Sequence, residues 1–469
     1  MRLQCQFRLA ATVLLVLLAH FNPKAAGSDR FVYLVMSLVE RGSINIDPYY
    51  SRTIELSYKN SHYFINTNPG ISFLAAPLWY VVSKLLGLSP LQNLFENESL
   101  HFLLAHLVSF FATTALLTAA GSVLLARLVF TITRDSNRAV LAAFLYAFGT
   151  PAFFFSTRLQ QNAAIASFAL MLFVLTFHPE VFGKVPQRMR LMIIGFLSGL
   201  ALFVDLSILP LLLVLAVPLA KQIKSLRNIL LTILSSLPPV SALALYQHVA
   251  FGNPFLPPQA YLVDLGTSVH ASGLFGLAAP YPATLLNHLF SLKNGLFIYV
   301  PFALLCLWYL VFPKRRLSDS FAANFTSMER WTILAVLLAY LLYAAAVRSS
   351  QYSGFGPRYL LPIIPLLCYI FAMYMQEIPS WLMRLLLGAS FVINVAGAQR
   401  GIDTDNLLFV LALFALSGPW LPILDWARAE FPQIFGYTPS VLSPAGLLLL
   451  LGTALAVMWL PSQMKPRRS

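Results

Sequence analysis

Long apolar runs joined by short loops, with positive charge gathered in every second loop, constrain this chain more than any other feature. Lys and Arg collect at Arg127/Arg134/Arg138, at Lys184/Arg188/Arg190, at Lys221/Lys224/Arg227 and at Lys314/Arg315/Arg316/Arg330. The loops between are poorer: Arg158 alone, nothing around Ser207, Lys293 in one long connection, Arg348 and Arg358 in another. Membrane proteins retain Lys and Arg in their cytoplasmic loops, so this alternation reads as a chain threading a bilayer. The runs it delimits are 9–21, 101–130, 139–156, 162–178, 191–206, 208–220, 229–250, 295–313, 331–347, 359–376, 380–398, 406–421 and 441–461. Each is near the length a bilayer requires or a little short of it.

Composition agrees. The chain is 58% hydrophobic and only 10% charged, where a soluble domain carries about 25% charged residues. The expected fold is therefore all-α: a polytopic membrane helix bundle of about 11–13 transmembrane helices, with residues 1–469 as one integral membrane domain. The net charge of +14 does not indicate nucleic acid, because the basic residues sit in short clusters and form no continuous basic face. They read as topology-setting charges beside anionic membrane lipids.

Arg2 and Arg8 precede the apolar run Leu9 to Leu18, which fits a first membrane helix or a signal peptide with Ala25-Ala26-Gly27 as a small-residue cleavage region. The uncleaved helix is favoured, and either reading places the next segment outside the cytoplasm. Residues 22–100 then form a large first external loop. Asp29 to Arg41 carries Phe31, Leu34, Val35 and Leu38 on one face, a stripe suited to a helix lying on the membrane surface. The part from Gly42 to Gly70 is turn-rich. Ile71 to Leu88 decides the orientation of everything later. If it does not cross, all four basic loops are cytoplasmic; if it crosses, all four lie outside. It is therefore expected to dip or lie flat. Residues 251–294 form the second long external loop, and Lys465, Arg467 and Arg468 at the C-terminus run against the charge rule.

Cys5, Cys306 and Cys368 have no paired spacing, and His62, His101, His248 and His270 have no metal-ligand spacing. Asn97-Glu98-Ser99 matches a glycosylation sequon and is read as chance. Walker loops, dinucleotide fingerprints and nucleophile elbows are absent from the sequence. What remains is a small set of charges at the ends of the apolar runs. Asp29 opens the surface helix, where a carboxylate serves either as a cap or as a base. Asp47 precedes Pro48 in a turn. Arg358 lies in Gly354-Phe355-Gly356-Pro357-Arg358-Tyr359, where glycines let backbone approach a ligand and a planar guanidinium can clamp a phosphate. Lys293 precedes Asn294-Gly295 at another helix mouth, and snorkelling to headgroups is its competing reading. Asp205 is read first as a helix-end residue facing water.

The segment Ser28-Asp29-Arg30-Phe31-Val32-Tyr33-Leu34-Val35-Met36-Ser37-Leu38-Val39-Glu40-Arg41-Gly42-Ser43 resembles the first external loop of bacterial GT-C superfamily glycosyltransferases. That group includes the protein O-mannosyltransferases and the lipid A aminoarabinose transferases. Asn66 to Pro77 is similar to the Pro-containing segment later in the same loop. Phe251 to Phe255, Gly273 to Leu277 and Gly356 to Pro362 are similar to patterns further along. The resemblance implies transfer of a sugar from a polyprenyl-phosphate donor to a lipid, glycan or protein acceptor, at the periplasmic face of a bacterial inner membrane. It assigns the general base to Asp29, the donor phosphate to Arg358 with Lys293 in support, and Asp47 and Tyr359 to substrate binding. Direct displacement would invert the anomeric centre. Two departures matter. Arg30 stands where many members carry an acid, which breaks a carboxylate pair and leaves a divalent cation open; no metal ligand or cofactor is assigned. Asn66 or Asn68 stands where many carry Lys. A transporter or lipid flippase is the alternative, and a non-catalytic assembly factor a third, although the charges lie at loop ends and no matched halves are evident.

Overall fold

The computed structural model describes residues 1–23, 27–53, 56–87, 98–223, 225–263, 273, 276–312, 325–348, 355–401, 406–424 and 442–459. Apart from one short hairpin, its regular structure is helical. In chain order come α1 (Leu3–Ala19), α2 (Asp29–Arg41), the hairpin β1 (Leu56–Lys59) and β2 (His62–Ile65), and α3 (Gly70–Leu85). The long helix α4 (Leu100–Thr133) follows, continuous through one π turn at Phe111–Ala115. Then come α5 (Ser136–Phe148), α6 (Ala152–Ser156), α7 (Gln161–Phe177), α8 (Gln187–Val204), α9 (Leu209–Gln222) and α10 (Leu226–Phe251). The second half holds α11 (Pro282–Phe290), α12 (Leu296–Tyr299), α13 (Ala303–Val311) and α14 (Ser327–Ala346). It ends with α15 (Arg358–Glu377), α16 (Ser380–Arg400), α17 (Leu407–Ser417) and α18 (Leu442–Trp459).

The expected spans largely coincide with helix, although 406–421 is helical only over Leu407–Ser417 and 441–461 is described only from 442 to 459, and the chain is a multi-pass membrane protein. Among the described residues six helices are long and apolar enough to cross a bilayer, and six shorter apolar ones accompany them. The expected span 139–156 is broken at Gly149–Pro151 into α5 and α6, and 295–313 is divided between α12 and α13. α7 and α15 are almost wholly buried and form the middle of the bundle, whereas α10 turns most of its residues outward. Outward-facing Leu213, Leu234, Val249 and Trp308 are what a lipid-facing surface requires, since lipid solvates such side chains as well as protein does.

The basic loops collect at one end. The N-terminal ammonium lies within electrostatic range of Arg127 and Arg134. Arg127 donates to the Val181 carbonyl, and His178 meets Glu329 at 2.8 Å. Arg190 donates to Gln222, which donates to the Thr176 carbonyl, each at 3.1 Å. Three of the four basic loops and the described part of the fourth are therefore neighbours. The expectations for Lys224, Lys314, Arg315, Arg316, Asn97, His270 and the C-terminal Lys465, Arg467 and Arg468 fall outside the described residues.

α3 belongs to the opposite end along its first ten residues. Ser72 donates to the Phe31 carbonyl at 2.9 Å, and Trp79 donates to Glu40 at 3.1 Å, so α3 runs beside α2 in the same direction. Glu40 also pairs with His101 at 2.9 Å, near the start of α4. Phe21, which follows α1, packs on His106 and Phe110, deeper in α4 than His101 by about 1.4 and 2.5 turns. Trp79 is thus held level with the mouth of α4. α3 contains 16 residues. A helix of that size is roughly 24 Å long, short of a hydrocarbon core about 30 Å thick. The turn-rich stretch holds one element that the sequence does not announce. Lys59-Asn60-Ser61-His62 closes the hairpin with positive φ at both central residues, the turn that matches strand twist. Within 251–294, α11 is likewise unforeseen.

Candidate functional site

Asp29 begins α2. Its Oδ1 accepts from its neighbour's amide, Arg30 N–H, at 3.0 Å and from the Thr53 hydroxyl at 3.4 Å. Among the described residues Oδ2 accepts nothing. Partial burial pushes the carboxyl above its ordinary value, more than the amide, the Arg30 charge and Thr53 pull it down. A half-buried carboxylate with one occupied and one open oxygen is suited to taking a proton.

Arg30, a departure from the family pattern in the sequence, is 4% exposed and stacks its guanidinium 5.0 Å from the Phe31 ring. Burial and, next, the nearby Arg358 push it down to about 9, while Asp29, Asp205 and Tyr359 pull it up. It remains charged at neutral pH. Arg30 is the hub of the site: Asp29, Asp205, Arg358 and Tyr359 each lie within electrostatic range of it, although they come from α2, the end of α8 and the start of α15.

Local structure explains the convergence. Gly70 meets the end of α8 so closely that an added Cβ would lie 2.6 Å from the Phe203 and Val204 backbone. Asn68 donates to the Leu202 carbonyl at 2.8 Å. These contacts press the α2–α3 layer onto the turn that carries Asp205, whose Oδ1 accepts from Ser207 N–H at 2.7 Å. Asp205 is therefore a helix-end residue, as expected, but one that borders the charged group. Arg358 is aimed by its own loop. Gly356 takes φ +86° beside the Tyr299 ring, and its N–H donates to the Lys293 carbonyl at 3.0 Å. The Arg358 Nε then donates to Asn162 Oδ1 at 2.9 Å, at the first turn of α7. Tyr359 lies against Tyr343 with ring centroids 6.1 Å apart.

The sequence-derived residues divide accordingly. Asp29, Arg358 and Tyr359 each lie within electrostatic range of Arg30. Lys293 joins through its main chain, which holds the Arg358 loop. Asp47 does a different job: its two oxygens take His62 Nδ1 at 2.6 Å and Tyr63 N–H at 2.7 Å, locking the hairpin. Sequence reasoning misses Arg30 and Asn162 and gives Asp205 little weight; contacts across 133 to 196 positions leave no local pattern to read. Among the described residues no group of three or more His, Cys, Asp or Glu side chains is placed to hold a metal ion, and both carboxylates here lie within electrostatic range of the Arg30 guanidinium. The described residues of the site therefore do not assemble the several oxygen ligands that a divalent cation needs.

The fold has solved relatives. ArnT from Cupriavidus metallidurans bound to undecaprenyl phosphate superposes with a TM-score of 0.53 at 13% identity, over 96% of this chain and 76% of that one. The apo state of that protein gives 0.47 at 14% identity over 96% and 75%. The archaeal oligosaccharyltransferase AglB from Archaeoglobus fulgidus, in complex with an inhibitory peptide and a dolichol-phosphate, gives 0.43 at 12% identity over 94% and 60%. The first superposition shows that the chain shares the all-α polytopic fold of that protein. No protein-family model and no curated protein matches the chain.

Proposed function

We propose that the protein is a glycosyltransferase that moves a sugar from a polyprenyl-phosphate donor to an acceptor at the outer face of a bacterial inner membrane. The observation that carries this reading is Arg30, within electrostatic range of both Asp29 and Arg358, at the end of the bundle opposite the basic loops. The fold shared with ArnT, which was solved with undecaprenyl phosphate bound, supports it.

The chemistry follows from the groups present. The acceptor hydroxyl gives its proton to Asp29 Oδ2 as its oxygen bonds to the anomeric carbon. The bond from that carbon to the donor phosphate breaks, and its electron pair stays on the departing lipid phosphate. Arg358, oriented by Asn162, and Arg30 stabilise the charge that develops there, with Lys293 near the same loop. Attack opposite the leaving group inverts the anomeric centre. The prenyl tail remains in lipid while the sugar stands among the loops.

By the positive-inside rule the basic end belongs in the cytoplasm and the site outside, a reading in which α3, held alongside α2, does not cross. A cysteine placed at the exposed Tyr58 (Tyr58→Cys) should react with a membrane-impermeant maleimide on intact cells stripped of their outer wall; protection until lysis would reverse the topology. The function is tested by lipid analysis of a deletion strain. Accumulation of a polyprenyl-linked sugar with loss of one glycosylated product is expected, and an unchanged lipid profile would remove the proposal.

A further inference from the structure

Besides its charges, the site end carries neutral polar atoms that are buried and unmatched. Gln160 and Gln161 are 5% and 4% exposed, and neither side-chain oxygen has a hydrogen-bond partner. They open α7 immediately before Asn162, which holds Arg358. The same condition recurs at Asn66 Oδ1 and Thr67 Oγ1, in the segment that Asn68 pins to α8, and at Ser207 Oγ beside Asp205. Ser207 belongs to the turn Leu206–Ile208, which packs on α7. Folded proteins satisfy nearly all buried polar groups, because leaving one unmatched forfeits its hydration without replacement. A cluster of them next to a charged site is therefore a place where a ligand supplies the missing partners.

We propose that Gln160 and Gln161, with Asn66, Thr67 and Ser207 on the elements beside them, form the subsite for the donor's sugar, and that this sugar is neutral and rich in free hydroxyls. The inference rests on the glycosyltransferase reading above. Side-chain amides and hydroxyls both accept from and donate to sugar hydroxyls, whereas the lipid phosphate is matched by the guanidinium groups and the prenyl tail by neither. Arg30 and Arg358 also repel an ammonium, which excludes an amino sugar with a free amine. Gln161 is the stronger determinant, being one residue from the Arg358 anchor and hence from the phosphate to which the sugar is joined.

The test uses the full-length protein in lipid nanodiscs, with undecaprenyl phosphate and its glucosyl, galactosyl, mannosyl and glucosaminyl derivatives as titrants. The wild type should bind at least one neutral hexosyl lipid about tenfold more tightly than the bare lipid phosphate, and the glucosaminyl lipid no better than the bare one. Gln161→Leu should remove most of that preference and Gln160→Leu about threefold of it, the loss of a neutral hydrogen bond each. Binding of bare undecaprenyl phosphate should be unchanged in both. Because leucine matches the volume and removes an unmatched amide, the ligand-free variants should melt at the same temperature or higher, which separates lost recognition from lost folding. Variants that keep the full preference would show that ordered water, not sugar, satisfies these amides, and would overturn the inference. So would a wild type that binds all five lipids equally. A wild type that binds none removes the underlying glycosyltransferase reading, a result distinct from either.

Discussion

Two buried polar clusters lie at opposite ends of the same central helices, and they are built on opposite terms. At the basic end Glu329, 1% exposed, receives His178 Nε2 at 2.8 Å and the Tyr369 hydroxyl at 2.9 Å, while His178 Nδ1 faces Glu180 at 3.2 Å. Both ring nitrogens of His178 and the Tyr369 hydroxyl are engaged, and the two contacts to Glu329 converge on its Oε1. At the other end Asp29 keeps an open oxygen, Arg30 and Arg358 repel one another, and the side-chain oxygens of Gln160 and Gln161 are unmatched. A satisfied network holds elements together. An unsatisfied one lowers the stability of the empty protein and is retained where function needs it. α7 and α15 contribute to both, so the difference is not one of burial but of what has been left for a ligand.

Substitutions should expose this contrast, and the largest effect belongs to Asp29. Asn keeps the shape and removes the base, so Asp29→Asn should lower transfer by about 10²–10⁴-fold, with the melting temperature unchanged or raised because a half-buried charge has gone. Near-full transfer by that variant would break the comparison outright. Glu329→Ala should do the reverse. It strands His178 in a buried setting, for which a loss of about 3–5 kcal/mol is typical, read as a collapse of folded yield in a thermal melt. Glu329→Gln should fall between. His178 stands just past the end of α7, where burial acts downward on it, but Glu329 outweighs that and leaves the imidazole above its ordinary value of 6.5. A raised imidazole contributes stability that is complete below its unfolded value and fades as pH rises through the folded one. The melting temperature should therefore decline across that window in wild type and hardly at all in Glu329→Gln.

Arg358→Lys should sharpen the picture at a smaller scale. Lysine keeps the charge but cannot reproduce the planar fork that both meets Asn162 and faces an anion. About a ten- to hundredfold loss in kcat/KM is expected, with KM for the lipid donor carrying most of it. The pH profile is finer still. Asp29 must be ionised to act as a base, and partial burial raises its carboxyl, so the acid limb of kcat/KM should lie above the ordinary carboxylate range. Thr53 pulls the other way through its hydrogen bond to Oδ1. Thr53→Val should therefore move the limb upward, by less than about one pH unit. A downward shift would show that the limb reports some other group.

How much of this is legible in the sequence depends on the range of the contacts. The spans and the sidedness of the loops can be read because hydropathy and charge are local in sequence, and a lipid environment forces backbone into helices wherever the run is apolar. Asp29 and Arg358 can be singled out because charges at helix mouths are scarce. Arg30 cannot be assigned a role, since its neighbour Arg358 is brought in by a glycine turn and by Asn162 at the start of a different helix. Gln160 and Gln161 look like ordinary loop residues until their burial is known. The hairpin escapes because its strands have four residues each and sit in a turn-rich stretch. Its turn signal, Asn60-Ser61, lacks the glycine that usually marks such turns.

Asp47 gives the smallest effect and the cleanest division between the two kinds of polar group. It lies on the same layer as Asp29, and as an isolated carboxylate in an external loop it qualifies as a substrate ligand. Its geometry instead resembles the satisfied cluster: one oxygen holds His62, the other holds the Tyr63 amide, and both tie the 3₁₀ turn Asp47–Arg52 to β2. The pair is about one third to one half exposed, so solvent screens it, and the loss on removal is small. Asp47→Asn can still accept from the Tyr63 amide and loses only the charge facing His62. It should destabilise by no more than about 0.5–1 kcal/mol and leave KM for the lipid donor unchanged within twofold, measured in the same assay as Asp29→Asn. A tenfold rise in KM with an unaltered melting temperature would place Asp47 among the substrate contacts after all, and would mean that a carboxylate with both oxygens engaged in the empty protein can still release one of them to a ligand.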